Sequence, residues 1–288
     1  MSEMRRGGSE PAGGAGDLGG EPAEGAVEGR AARFRAEAAA RGLPADAVAE
    51  FIRVARPAVY LAEDGEGPVA ARTGGYPLLP AGAAFPDACF VAAVDCAALP
   101  SGATDLPLPT EGHLLFFADP DPGSGAVLAD AVRYVPAGTP LVERAMGADI
   151  PDWYEPYGRT VLDFTFHQWC WPMWIEDEDD DDDADEDHRG LPHAAELGAA
   201  WSHVVGWRPR WRLQLGGHPN FHNWDPVEAA RDDHPLDGDL DEWTLLASWR
   251  ADEDAEEHLD GGLFHWVIRR ADLTAHRFDR VYVYVDMV

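Results

Sequence analysis

The chain has 288 residues, 45% hydrophobic and 10% aromatic, which is enough apolar material for one large domain or two small ones. It carries 53 acidic against 22 basic residues, all of the latter arginine, for a formal charge of −31. Nucleic-acid backbones and anionic membranes are recognised by clustered positive charge, so both are disfavoured as partners, whereas the acidic charge is compatible with a basic protein partner or with solubility alone.

The N-terminal tail, residues 1–29, is rich in Gly, Ala, Glu and Pro and is predicted to be disordered. It contains no apolar region of a signal peptide, and no run in the chain approaches about 18 apolar residues, so we expect a cytoplasmic protein without a membrane span. The cysteines Cys89, Cys96 and Cys170 form no paired framework, and the first two are predicted as small core residues.

A helical segment, residues 30–56, follows the tail. Residues 30–41 have high helix propensity, and a second helix is predicted after Pro44. The apolar residues of that second helix recur at i, i+3, i+4 and i+7, which favours a packing helix over a partner-binding one. They are Val48, Phe51, Ile52 and Ala55.

The first of two similar units is predicted over residues 57–135. Its continuous apolar runs indicate strands that are covered on both faces. Asp95 is typical of the cap of a brief helix. The predicted strands are 58–62, 90–94, 114–118 and 131–135, and residues 74–86 are predicted to form a loop.

The middle segment, residues 136–211, has no counterpart in the first unit. Alternation over 161–167 predicts a half-exposed strand, and a helix is predicted over 193–204. Trp169, Trp171 and Trp174 are expected to pack in a core rather than to form a cation cage. The run 176–187 has eleven carboxylates in twelve positions and is predicted to be a mobile surface loop, not a site.

The second unit is predicted over residues 212–288. Asp225 followed by Pro226 is typical of a helix start, so a short helix to about Arg231 is expected. Apolar runs predict strands over 244–249, 263–269 and 280–286.

The features of this unit occur in the same order as those of the first. Gly216-Gly217-His218-Pro219 repeats Gly74-Gly75-Tyr76-Pro77 at a spacing of 142 residues, and Trp266 follows Phe117 by 149. An internal duplication is therefore predicted. The resulting fold class is α+β, internally duplicated, with two similar, mostly antiparallel sheet halves and few short helices. The glycine pairs are interpreted as tight turns with positive φ close to another strand.

The sequence contains no nucleophile elbow, phosphate loop or dinucleotide fingerprint, so no catalytic residue is predicted. His218 and His222 have a spacing that metal ligands can use, but the proline between them indicates a loop, and neither a metal nor a cofactor is predicted. A candidate binding site is expected around the second glycine pair, formed by Tyr76, His218, Asn223, Trp224 and Asp225.

Five short motifs follow one another along the chain: Gly74-Gly75-Tyr76-Pro77-Leu78-Leu79-Pro80, Gly112-His113-Leu114-Leu115-Phe116-Phe117, Gly216-Gly217-His218-Pro219, Trp243-Thr244-Leu245-Leu246 and Gly261-Gly262-Leu263-Phe264-His265-Trp266-Val267-Ile268. Together they resemble the YwqG-like family, bacterial proteins built on a domain of unknown function, over roughly residues 58–287. The resemblance implies a duplicated α+β fold and no established activity. The family tends to carry glutamine where this chain has Ala93, Ser248 and Asn223, which disfavours a catalytic role shared with the family.

Two hypotheses of function follow. The first is a non-enzymatic protein-binding module, an immunity or inhibitor-like partner of a basic toxin domain, because carboxylates are in excess and no catalytic constellation is present. The alternative is a small-molecule binder or enzyme with its site at the junction of the two repeats, since ligand sites favour such interfaces. An enzyme is less expected than a non-enzymatic protein.

Overall fold

The computed structural model describes residues 23–63, 67–86, 88–118, 126–128, 130–145, 159–173, 190–206, 210–234, 243–251 and 262–287. The α-helices, α1 to α5, are Ala23–Ala40, Ala45–Val54, Ala194–Val205, Pro226–Asp233 and Arg270–Thr274. The strands, β1 to β13, are Arg56–Ala62, Val69–Thr73, Leu78–Pro80, Cys89–Asp95, His113–Ala118, Ala126–Val127, Val132–Val135, Leu141–Glu143, Thr160–Cys170, Leu213–Gly216, Trp243–Arg250, Leu263–Arg269 and Tyr282–Asp286. The predicted α+β class is confirmed.

The described strands form one eleven-stranded sheet in the order β6-β13-β12-β11-β10-β1-β9-β2-β4-β5-β7, beside a two-stranded ribbon of β3 and β8. Neighbouring strands in the sheet run antiparallel. The two predicted halves are therefore joined edge to edge through the central pair β1 and β9. This continuity matters for the site, because it fixes which loops leave the sheet at the same end.

Apart from β6, which pairs with the outer edge of β13, the strand order is symmetric about that central pair. On the β1 side come β10, β11, β12 and β13, and on the β9 side come β2, β4, β5 and β7. Strands β4 and β11 also carry their register shift at the same place, between Phe90 and Ala92 in one and between Leu245 and Ala247 in the other. The two halves share one topology, whereas the duplication of the sequence itself stays a prediction.

The register corrects the spacing that the sequence suggests between the halves. Phe116 lies opposite Ala92, and Trp266 lies opposite Ala247, in both cases directly after the register shift. Trp266 therefore corresponds to Phe116, so the expected spacing of 149 is wrong by one residue here. A shift of one residue moves a side chain to the other face of a sheet. Strand β9 also comes from the middle segment, residues 136–211, where the sequence predicts no counterpart to the first unit.

The sheet curls so that the inner faces of its halves pack on each other. The Phe116 and Trp266 ring centroids are 5.1 Å apart, and the Trp266 Nε1 donates to the Phe117 carbonyl oxygen at 2.9 Å. Strand β6 pairs with β13 and so brings the two ends of the sheet together. Cys89 and Cys96 are buried in this shared apolar core without a disulfide, which confirms their prediction as core residues.

Several separate segments cover the outer face and one end of the sheet. Helices α1, α2 and α3 form an apolar cluster with Trp169 and Trp171, where Trp201 stacks on Trp169 at 5.4 Å. Core packing is thus confirmed for these two tryptophans, while Trp174 and the run 176–187 lie outside the described residues. The β3–β8 ribbon covers the first half, and α4 covers part of the second.

Several element boundaries differ from those predicted. Helix α2 is confirmed, with Val48 and Phe51 buried, but α1 begins at Ala23, inside the tail predicted to be disordered. Strand β3 lies within the predicted loop 74–86. Strands β2 and β10 are not predicted at all, because a short strand such as Val69–Thr73 carries no apolar run for a pattern to detect.

Candidate functional site

The second glycine pair makes a tight turn at the centre of the sheet. Gly216 and Gly217 have φ of 67° and 74°, which glycine adopts without a steric cost. The Gln214 side-chain nitrogen donates to the carbonyl oxygens of Gly216 and His218, each at 2.8 Å. A Cβ on Gly217 would stand 2.7 Å from the Cβ of Ala58 in β1. The interpretation as a turn that approaches another strand closely is therefore confirmed.

The first glycine pair makes a similar turn after β2, at the other end of the central strands. Gly74 and Gly75 have φ of 63° and 67°. Because β10, β1, β9 and β2 pair antiparallel in that order, β2 runs opposite to β10, and their following loops leave the sheet at opposite ends. Tyr76, which is 44% exposed, therefore does not join the other four candidate residues in one site.

The loop from His218 to Asp225, hereafter the covering loop, holds those four residues. His218 lies at its start, and its Nε2 donates to the Val54 carbonyl oxygen at the end of α2, 2.9 Å away. Burial lowers the pKa of His218 to about 4, so the ring is neutral at pH 7. This histidine ties the loop to the helical segment instead of offering a free ligand atom.

The far end of the covering loop is held by one buried carboxylate. Asp286, 1% exposed at the end of β13, accepts hydrogen bonds from the backbone N–H groups of His222 and Asn223. Its Oδ1 also accepts from the Asn223 side-chain nitrogen at 2.6 Å, and that nitrogen lies 2.8 Å from the Met287 carbonyl oxygen. Asn223 is thus a fixed structural element of the loop. The sequence does not indicate Asp286 as its partner.

The last two candidate residues have opposite surroundings. Asp225 caps α4, its Oδ1 accepting from the Val227 N–H at 2.7 Å, and burial raises its pKa. Trp224, by contrast, is 70% exposed. Close by in the loop, the Phe221 N–H lies 3.2 Å from the sulfur of Met173, which is 43% exposed. The covering loop is therefore anchored at both ends and presents an exposed indole between them.

Polar groups that the sequence analysis does not select lie near the anchored end of the loop. The Ser248 hydroxyl lies 2.8 Å from His265 Nδ1, and both side chains are fully buried. Burial lowers the pKa of His265 to about 3. In the sequence, each is a polar residue inside an otherwise apolar strand, which is easily attributed to a core hydrogen bond, and Ser248 is also a position where the YwqG-like family tends to carry glutamine.

Two features are absent from the described parts of the chain. Within those ranges, no group of three or more His, Cys, Asp and Glu side chains is placed to hold a metal ion. No described helix is both long enough and apolar enough to cross a bilayer.

One family model matches the chain. Its description is Domain of unknown function (DUF1963), and it matches residues 71–286, from within β2 to the end of β13. The match therefore leaves out α1, α2 and β1, although β1 is a central strand of the sheet. No curated protein matches the chain.

Proposed function

Since the chain belongs to the family Domain of unknown function (DUF1963), whose description assigns no activity, we propose its function from its own geometry. It is an acidic, non-enzymatic protein-binding module that contacts its partner through the covering loop, with Trp224 as the anchor. The narrower identification as a YwqG-like protein of bacterial origin, and the cytoplasmic location, belong to the same proposal.

The observation that carries this proposal is the exposure of Trp224 on a fixed backbone. Trp224 is 70% exposed, yet the residue before it is bound to Asp286 and the residue after it caps α4. Tryptophan is among the residue types that contribute most to binding at interfaces. A loop that is already ordered loses little conformational entropy on binding, so more of the contact energy remains as affinity.

The charge around this anchor favours a basic partner. Helix α4 starts directly after the covering loop and exposes Glu228, Asp232 and Asp233, of which Asp232 is paired with Arg231 at 3.2 Å. The whole chain carries −31. Such a field steers positively charged partners and accelerates their association at low salt. An immunity or inhibitor-like role against a basic toxin domain is the concrete form of the proposal.

The alternative hypothesis of a site in a cleft between the repeats has less support. The inner faces of the two halves pack on each other through one shared apolar core, with Phe116 against Trp266. The junction is therefore filled with side chains where the described residues line it. A small-molecule site has a better basis on the outer face of the second half.

The test compares three forms of the full chain as bait in cell lysate: wild type, Trp224→Ala and Val161→Ala. Val161 is a matched control because it is 45% exposed on β9, away from the covering loop. A partner should be retained by wild type and control and be released by salt well above about 0.15 M, because screening weakens its charge contacts. With the purified partner, Trp224→Ala should weaken binding by about 30-fold, as for a hot-spot residue of about 2 kcal/mol.

Two outcomes count against the proposal. Equal retention by Trp224→Ala and Val161→Ala would show that the loop is not the contact surface. Failure to recover any salt-sensitive partner from the native lysate would contradict the proposal that the chain is a protein-binding module.

A further inference from the structure

A row of polar side chains is buried on the outer face of the second half. Gln214, Ser248 and His265 lie directly opposite one another on β10, β11 and β12, and Tyr284 follows on β13. The first three are at most 1% exposed. On the side of the row toward α4, the neighbouring side chains of the same face form an apolar cluster with that helix, whereas Asp286 lies on the other side of the row. A buried polar row inside an apolar face costs free energy unless each group finds a partner.

The first half shows that the fold does not require this row. There the residue two positions before the glycine pair is Arg72, and the residues opposite it on β4 and β5 are Ala93 and Leu115. These two stand where the second half has Ser248 and His265. Leu115 is 2% exposed in the apolar cluster beneath the β3–β8 ribbon. The equivalent position in the first half thus accepts an apolar pair.

One atom of the row has no partner in the described part of the chain. Ser248 Oγ lies 2.8 Å from His265 Nδ1, but His265 Nε2 is buried without a hydrogen bond. An unpaired buried group of this kind destabilises the folded chain, because it has lost its hydrogen bond to water and gained none in return. A hydroxyl can donate or accept, so the serine permits either tautomer of the neutral ring. Nε2 is therefore able to donate or accept toward a group that binds there.

The covering loop is anchored at both ends of this row. Gln214, at the first end, holds the His218 carbonyl oxygen, and Asp286, next to Tyr284 on the same face, holds the backbone of His222. The Ser248–His265 pair lies between these two anchors and is fully buried. Lifting this end of the loop off the row would break its hydrogen bonds to Asp286, Met287 and Met173 but none of the hydrogen bonds between the strands beneath it.

We propose that this row is the floor of a small-molecule site closed by the covering loop, and that its ligand is an uncharged molecule with a carboxamide or hydroxyl group. An anion is disfavoured because the carboxylate of Asp286 lies on the same face. A cation is disfavoured because it would be buried without a free counter-charge, since Asp286 already accepts hydrogen bonds from His222 and Asn223. A carboxamide or hydroxyl offers both a donor and an acceptor, which matches a ring nitrogen able to play either part.

The test replaces the polar pair by the pair that the first half uses in the same place. The double variant Ser248→Ala/His265→Leu should fold and melt at the wild-type temperature or above it, because the apolar pair leaves no buried group unpaired. In the wild type, ¹⁵N spectra of the histidine rings report on Nε2 of His265 directly. Acetamide should shift that signal, whereas acetate and acetamidinium, an anion and a cation of the same size, should not. His113, on β5 in the other half, is the internal control.

The outcomes separate a binding site from a structural hydrogen bond. A His265 shift with acetamide alone, together with an intact double variant, supports the site. If no probe moves Nε2, a water molecule fixed by the fold is its partner and the proposal fails. A double variant that no longer melts cooperatively also overturns it, because the row is then needed for folding. This site rests on buried groups and the proposed protein binding on exposed Trp224, so either can fail alone.

Discussion

Replacing Gly217 by alanine tests whether the turn at the centre of the sheet depends on the absence of a side chain. The residue has φ of 74°, and an added Cβ would stand 2.7 Å from the Cβ of Ala58 and 3.0 Å from that of Cys170. The left-handed conformation costs an L-residue roughly 1–2 kcal/mol. Overpacking adds about 1–3 kcal/mol, because both neighbours belong to paired central strands and cannot move alone. The expected loss in the free energy of unfolding is about 2–5 kcal/mol.

Gly42→Ala is the matched control for this substitution. Gly42 has φ of 77°, but a Cβ there meets nothing within 4 Å. It should therefore show only the conformational cost of roughly 1–2 kcal/mol. Urea denaturation of both variants, followed by circular dichroism, gives the two free energies. If both variants lose the same amount within error, the close approach of β1 and β9 to the turn contributes nothing and the reasoning is wrong.

Three further predictions concern the central strand, the buried histidine and the carboxylate that holds the loop. A chain that starts at residue 71, where the family match begins, lacks β1, which lies between β10 and β9. It should not melt cooperatively when followed by circular dichroism, whereas a chain that starts at residue 23 should melt cooperatively. Burial lowers the pKa of His218 from 6.5 to about 4, so the unfolded chain binds the proton more readily; its contribution to stability is intact above pH 6.5 and is lost as the pH falls toward 4. His218→Gln should therefore lose less stability than wild type between pH 7 and pH 4.5, measured by urea titration, and equal losses would contradict this. Asp286→Ala should lower the free energy of unfolding by about 1–3 kcal/mol and accelerate hydrogen exchange at the His222 and Asn223 amides. The control Asp105→Ala breaks a surface ion pair with Arg270; it should lower the free energy of unfolding by at most about 1 kcal/mol and leave those amides protected.

Local patterns in the sequence are sufficient for the longer elements. The apolar run 263–269 coincides with β12, and the stripe that contains Val48 and Phe51 marks the buried face of α2. Asp225 followed by proline marks the start of α4, where its side chain caps the helix. These features depend on residues within a few positions of each other, so periodicity and capping chemistry are enough to predict them.

Pairing in the sheet is not local, so short patterns in the sequence do not specify it. An apolar run indicates that a strand is covered, but not which strand lies beside it or in which direction that strand runs. Antiparallel pairing sends the loops after β2 and β10 to opposite ends of the sheet, which separates Tyr76 from His218. The sequence places both residues in equivalent turns, and their distance in space follows only from the order of the strands.

The candidate site likewise combines features that lie close together in the sequence with contacts that form only on folding. Sequence alone placed His218, Asn223, Trp224 and Asp225 in one loop after a glycine turn, because all four lie within eight consecutive positions. Only the fold brings Asp286 from the far end of the chain to hold that loop, and only the fold leaves Trp224 exposed while it buries His265 on the outer face of the sheet. Burial and hydrogen bonding between distant strands set the exposure and pKa of each group, and these depend on neighbours in space that no sequence spacing specifies.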